Sequence, residues 1–256
     1  MSVRLHHINA GLLHAPPNPE AACHCWIIET DGGLVLVDSG IGLEDGRDPE
    51  RRIGREAIEM AGYTFDPRNT AAKQIERIGL SPADVRHIVL THADPDHAGG
   101  LADFPDATVH MTGEEHDALH GGNPRYSHAQ FGHGPTIRLY RDDDARWQGL
   151  AARTIRISHV PGLLFVPLFG HTAGHAGVAV EIDGSWHLHT GDAYMVRDEL
   201  TDHDHPVGQF AEMIAVDNLR RLESLDRLRE LEASGTVRMN GYHDFTEFET
   251  SPAVVR

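Results

Sequence analysis

The chain has 256 residues, 40% hydrophobic and 24% charged, and a formal net charge of −17. That is enough apolar material for one substantial core, and so acidic a surface disfavours nucleic acid and anionic membranes, which both recruit basic footprints. No apolar run approaches the roughly 20 residues that cross a bilayer, and the opening MSVRLHHINAG lacks the apolar segment of a secretory signal, so a single cytoplasmic domain over 1–256 is expected.

Residues 3–8, 23–30 and 34–38 read as strands, the last two joined by Asp31-Gly32-Gly33 in a hairpin. Cys23 and Cys25, two apart on one strand, share a face and read as small core residues, because neighbours on one strand rarely reach disulfide geometry. Residues 43–52 read as a charged loop. Apolar residues at helical spacing (Ala72, Ile75, Ile78) predict a helix over 69–80, with Asn69 or Thr70 as its cap. A buried strand follows at 86–90, then a short strand at 107–111 and a helix at 112–120 opened by Thr112. Residues 121–147 show no periodicity and interleave glycine and proline with Tyr126, His128, Phe131 and His133. A loop of that length in a compact domain is usually functional. It reads as a lid or pocket wall, with Tyr126, Phe131 and His133 as candidate substrate contacts. Strands are expected at 163–169, 176–182, 185–190 and 236–240. A long amphipathic helix is expected over 209–234, with Gly235 at its C-terminal cap. Two similar halves of strands and helices suggest an α/β protein built as a four-layer αββα sandwich.

Histidine is unusually abundant, at 20 residues, and several lie beside Asp and Gly just after apolar strands. The stretches are THADPDHAGG at 91–100, GHTAGH at 170–175, TGDAY at 190–194 and GYHD at 241–244. Each alone is weak, since a lone His is more often a satisfied structural residue. Four of them in order, each at a strand end, point to a metal centre. His203 and His205, in TDHDHP, read as solvated loop residues, and His6, His7, His24, His187 and His189 are read the same way.

The set resembles the metallo-β-lactamase superfamily, whose pattern is H-x-H-x-D-H followed by a distant His, a bridging Asp and a last His. Within it, N-acyl homoserine lactonase-like members share the LVD-S/T-G hairpin, DHAGG, GHTAGH and a Tyr shortly after the bridging Asp. The resemblance implies that His92, Asp94 and His171 hold one metal, that Asp96, His97 and His243 hold a second, and that Asp192 bridges them. It implies two divalent ions per chain, zinc first and manganese or iron as alternatives, with a bridging hydroxide that attacks a carboxylic ester or lactone of a small molecule. Asp96 and Tyr194 would be the catalytic residues, and Tyr194 would also touch substrate. A homodimer is compatible, and neither nucleic acid nor membrane is an expected partner.

The chain departs from the pattern at Asp94, where the family carries His. A carboxylate lowers the charge of the centre by one and favours harder ions. Asp94 is read as a direct ligand, with a role behind the ligands, or a weakened first site, as the alternatives. Asp38, closing the hairpin strand, reads as a carboxylate that orients a ligand. Two other functions stay open: a non-catalytic ligand-binding relative with a weakened first metal site, and a diiron redox protein needing a flavin partner.

Overall fold

The computed structural model describes residues 3–14 and 20–250. Its first sheet holds β1 (Arg4–Leu13), β2 (Ala21–Thr30), β3 (Gly33–Val37), β4 (Tyr63–Thr64), β5 (Val85–Val89), β6 (Thr108–Thr112) and β7 (Thr136–Tyr140), in the order β4-β1-β2-β3-β5-β6-β7. The second holds β8 (Ala145–Trp147), β9 (Leu150–Thr154), β10 (Leu164–Pro167), β11 (Ala176–Ile182), β12 (Ser185–His189) and β13 (Val237–Asn240), in the order β13-β12-β11-β10-β9-β8.

Side chains alternate across a strand, and here the alternation sorts them into three cores. On β2 and β3, Cys23, Cys25, Ile27, Leu34 and Leu36 face outward onto Ala71, Ala72 and Ile75 of the helix Ala71–Arg77 and onto Leu101. Their alternates Trp26, Ile28, Val35 and Val37 face inward and meet Phe165, Val178 and Val180 of the second sheet. The outer face of that sheet, through Leu164, Ala179 and Leu188, meets Leu225, Leu228 and Leu231 of the helix Asn218–Ser234. A helix layer, two sheets and a second helix layer make the αββα sandwich.

β3 and β5 run parallel, as do β12 and β13. Parallel neighbours end on the same edge, so Asp38, the 91–97 segment, Asp192 and His243 leave the two sheets side by side. Loops at that edge are where α/β sheets carry their sites.

Several local expectations are corrected. The charged 43–52 segment forms the short helices Leu43–Arg47 and Pro49–Arg52. Its charges are partly internal: Arg52 is buried and donates to Asp45 at 2.6 Å, and Gln130 completes the network. The 121–147 stretch contains β7 and β8, both at sheet edges. The helix expected over 209–234 is two helices, Val207–Ile214 and Asn218–Ser234. Asp217 caps the second by accepting the Arg220 N–H at 3.1 Å. At the break, Val216 N–H binds the His171 carbonyl at 3.0 Å and Asp217 N–H binds that of Gly170 at 2.9 Å. His7, His24 and His189 are buried between the sheets: Nδ1 of His7 lies 2.8 Å from Nε2 of His24, and His189 donates to the His24 carbonyl at 2.7 Å.

Candidate metal centre

β5 delivers the 91–97 segment to the shared edge. The segment turns at Asp94 into the helix Pro95–Ala98, with proline at the first helical position where its missing N–H costs nothing. Gly99 and Gly100 follow because the chain is crowded. A Cβ on Gly99 would lie 2.1 Å from Asp45 Oδ2, and one on Gly100 2.3 Å from the Ser39 carbonyl oxygen. Gly99 has ordinary right-handed helical backbone, so close approach explains this glycine.

Two groups of side chains converge there. Ligand atoms of His92, His171 and Asp192 lie within 4.8 Å of one another, and so do those of Asp96, His97 and His243. Asp192 stands between the groups: its Oδ2 is 3.4 Å from His171 Nε2 and 3.2 Å from His243 Nε2, and its Oδ1 is 3.3 Å from His97 Nε2.

Three of the four imidazoles, those of His92, His97 and His243, are aimed by their other nitrogen. His97 Nδ1–H donates to Asp38 Oδ2 at 2.9 Å. His243 Nδ1–H donates to the Ala22 carbonyl at 2.9 Å. Thr91 spends its hydroxyl hydrogen on Asp38 Oδ2 at 2.8 Å, so at 3.0 Å it accepts from His92 Nδ1–H. Each of these rings thus turns its Nε2 toward the centre, where a metal would take the place of a proton, the arrangement that metal-binding histidines use. His175 Nδ1–H donates to the Leu168 carbonyl at 2.8 Å, and its Nε2 accepts the Asp192 N–H at 3.0 Å, fixing the backbone of the residue between the two groups.

These residues fit a divalent cation. Nε2 of His92, Nε2 of His97 and Oδ1 of Asp192 are buried without a hydrogen-bond partner among the described residues. Lone pairs and carboxylates gathered out of water repel one another unless a cation lies between them. The titration behaviour carries the same signature. Burial alone would push the His97 imidazole down, but the carboxylates of Asp192, Asp96 and Asp38 hold it well above its usual range. Burial would raise the Asp192 carboxyl, but His243 and His97 hold it well below. Nitrogen and oxygen donors of this kind suit zinc, iron or manganese.

Asp94 Oδ2 lies 3.2 Å from Nε2 of both His92 and His171, close enough to share an ion with them. A residue with no sequence signature also grips it. Arg125 Nε donates to Asp94 Oδ1 at 2.6 Å and Nη2 donates to Oδ2. Nη2 also sits 2.6 Å from His171 Nε2, and Nη1 donates to the Ile214 carbonyl. Burial and then the Arg125 charge push the His171 imidazole down to about 4.

Glu115 is a second residue the sequence did not single out. It is fully buried in the helix Gly113–His120. Its carboxylate accepts the Ala93 N–H at 3.0 Å, the Thr172 hydroxyl at 2.7 Å and the Gly174 N–H at 3.0 Å, stapling the 91–97 segment to the His171 loop.

The expected substrate contacts fare differently. Tyr194 is fully buried and donates its hydroxyl to Glu247 at 2.9 Å, so it is turned into the core of the second sheet. Tyr126 is buried and Phe131 half-buried, both against the outer core of the first sheet. His133 is exposed on its loop. The phenols beside the centre are Tyr63, which donates to Asp96 Oδ1 at 3.3 Å, and Tyr242, which stacks on His97 with ring centres 3.7 Å apart and donates to the Asp96 carbonyl at 2.6 Å. Asp38 is the orienting carboxylate that its position suggested.

A sequence model described as "Metallo-beta-lactamase superfamily" matches residues 18–234. A "probable metallo-hydrolase" of Mycobacterium tuberculosis is 43% identical over 204 residues, covering 77% of this chain and 64% of that protein. The chain therefore spans under two thirds of that relative's length. An N-acyl homoserine lactonase of Bacillus thuringiensis is 25% identical over 216 residues, covering 78% of this chain and 75% of its own. Among solved structures, an N-acyl homoserine lactone hydrolase with the product N-hexanoyl-L-homoserine at its catalytic metal centre superposes with a TM-score of 0.75 at 20% identity, covering 98% of this chain and 97% of that one.

Proposed function

The chain belongs to the metallo-β-lactamase superfamily, and on that premise we propose that it is a metal-dependent hydrolase that opens a lactone or another carboxylic ester of a small molecule. The observation that carries the reading is the convergence of His92, His171 and Asp192 with Asp96, His97 and His243, with the rings of His92, His97 and His243 aimed by their Nδ1 bonds and three of the facing atoms without a partner among the described residues. We assign those six residues to the metals, with Asp94 at the edge of the first group.

Divalent ions in such a centre acidify water and polarise a carbonyl oxygen. The protein supplies the rest. Asp192, fixed by His175, spaces the two groups. Asp96 has one carboxylate oxygen toward His97 and His243 and the other toward the Tyr63 hydroxyl. It is placed to take the proton of the attacking water at Oδ1, with Tyr63 as the hydrogen-bond donor next to the reacting group. The lactonase relatives favour a cyclic ester. Met213, Val216 and Leu219 are exposed, 66%, 49% and 77%, on the segment that Val216 pins to His171 and Ile214 to Arg125, and they favour an apolar substituent.

The test is a panel of γ-lactones with varied acyl chains, aryl esters, phosphodiesters and phosphotriesters, offered to protein loaded in turn with zinc, manganese and iron. Metal-dependent turnover of lactones or carboxylic esters is expected. Turnover confined to phosphoesters, or none on any member, would overturn the reading.

A further inference from the structure

Arg125 and Asp94 belong together, and neither makes sense alone. Asp94 stands where the family pattern has a neutral His, and it brings a negative charge into a buried centre. Arg125 answers that charge with a two-pronged grip through Nε and Nη2, the strongest geometry a guanidinium and a carboxylate can adopt. The same Nη2 lies against His171 Nε2 at 2.6 Å. A guanidinium cannot give up its proton to make way for a metal. It must move, or it must share. His171, a donor of the first metal group, and Asp94, at the edge of that group, are thus engaged by a cation of the protein's own. The second group differs: beside the converging residues themselves, the side chains against Asp96 and His97 include Tyr63, Tyr242, Thr91 and Asp38, and none of these is a guanidinium or an ammonium.

We infer that Arg125 competes with the metal for Asp94 and His171, so that the His92–His171–Asp192 group holds its ion more weakly than the Asp96–His97–His243 group does. The inference rests on the metal-centre reading given above and makes the two sites unequal by construction. Arg125 comes from the segment after Gly121-Gly122 and reaches across to the Ile214 carbonyl, so filling the first group also releases a tie between the two segments that flank the centre. The chain would exist in a one-metal form with Arg125 in place and a two-metal form with Arg125 displaced.

The experiment is a titration of metal-free protein with zinc against a chromophoric chelator, read as equivalents bound and without substrate. Its failure is therefore separate from failure of the hydrolase reading, which the substrate panel decides. In the unaltered protein the second equivalent is expected to bind at least about tenfold more weakly than the first, the scale of effect seen when a group touching the ligands is altered. Arg125→Gln removes the competitor and leaves Asp94 free to bind. It should tighten the second equivalent by about tenfold or more while the first stays within about twofold. Two equal sites in the unaltered protein would overturn the inference, as would a second equivalent unchanged or weakened in Arg125→Gln. Loss of both equivalents would mark a misfolded variant and pass the decision to Arg125→Lys, which keeps a charge but not the fork. There a partial gain in the second equivalent supports the competition, and no gain overturns it.

Discussion

His97 hands its Nδ1 hydrogen to Asp38 at 2.9 Å, and Asp38 receives it from a left-handed backbone with φ of 57°. Aspartate tolerates that conformation better than most side chains. Thr91 adds two more donors to the same carboxylate, its N–H and its hydroxyl, each at 2.8 Å. One buried carboxylate therefore sets the tautomer of His97 and, through Thr91, that of His92. Asp38→Asn keeps the backbone and the size but removes the charge that holds the His97 Nδ1 proton. Metal affinity should fall about 10- to 100-fold, read by chelator competition, with little change in the thermal midpoint of the metal-free protein.

Glu115 should matter to stability more than to chemistry. Its carboxylate is fully buried and accepts three donors from two loops. Glu115→Ala strands those donors away from water. A loss on the order of 3 kcal/mol is expected in denaturant unfolding, together with weaker metal binding because the 91–97 and 170–175 segments lose their staple. Glu115→Gln, which can still accept, should cost clearly less.

The buried Arg52–Asp45 pair makes a second stability test. Arg52→Met leaves the Asp45 carboxylate, fully buried, without its cation. About 3 kcal/mol or more should be lost. Adding Asp45→Asn should recover part of that loss, since the stranded charge is then gone. The double-mutant cycle in urea reads the coupling.

Acid should destabilise the fold in a specific window. Burial, with neighbouring His189 adding, pushes the His7 imidazole down from 6.5 to about 3. Burial, with His87 adding, does the same to His110, to about 3. Between pH 3 and 6.5 the unfolded chain binds protons at both residues and the folded chain does not. Stability is therefore intact above the unfolded value and falls with pH below it, by about 1.4 kcal/mol per pH unit for each such histidine. Thermal midpoints measured across that window should drop less steeply in His7→Gln, which has no proton to gain.

The sequence carried the sandwich and the six converging residues because both rest on short-range signals. Apolar strands end in polar clusters, and the order of those clusters carries the family resemblance. What it concealed has physical causes. Arg125 lies in an aperiodic stretch, and a single arginine has no pattern until its partner is known. Glu115 sits in a helix among Glu114, His116 and Asp117, and nothing in that run of polar residues marks it as the buried one. The break after Ile214 is invisible because Ala215 and Val216 continue the apolar spacing, while Asp217 acts through its capping bond. Tyr194 follows the bridging Asp closely in sequence, but proximity along the chain does not set side-chain direction, and Glu247 draws its hydroxyl into the core.

The central claim is that these six residues make a metal-dependent hydrolytic centre. The most direct measurement is lactone opening by protein stripped with chelator, then reloaded with a divalent metal, beside an Asp192→Asn variant treated in the same way. The account predicts that stripped protein is inactive and that reloading restores turnover. It also predicts that Asp192→Asn, which removes the charge shared by the two groups, loses about a hundredfold or more of that turnover. Turnover that survives stripping, or that Asp192→Asn leaves undiminished, would contradict it.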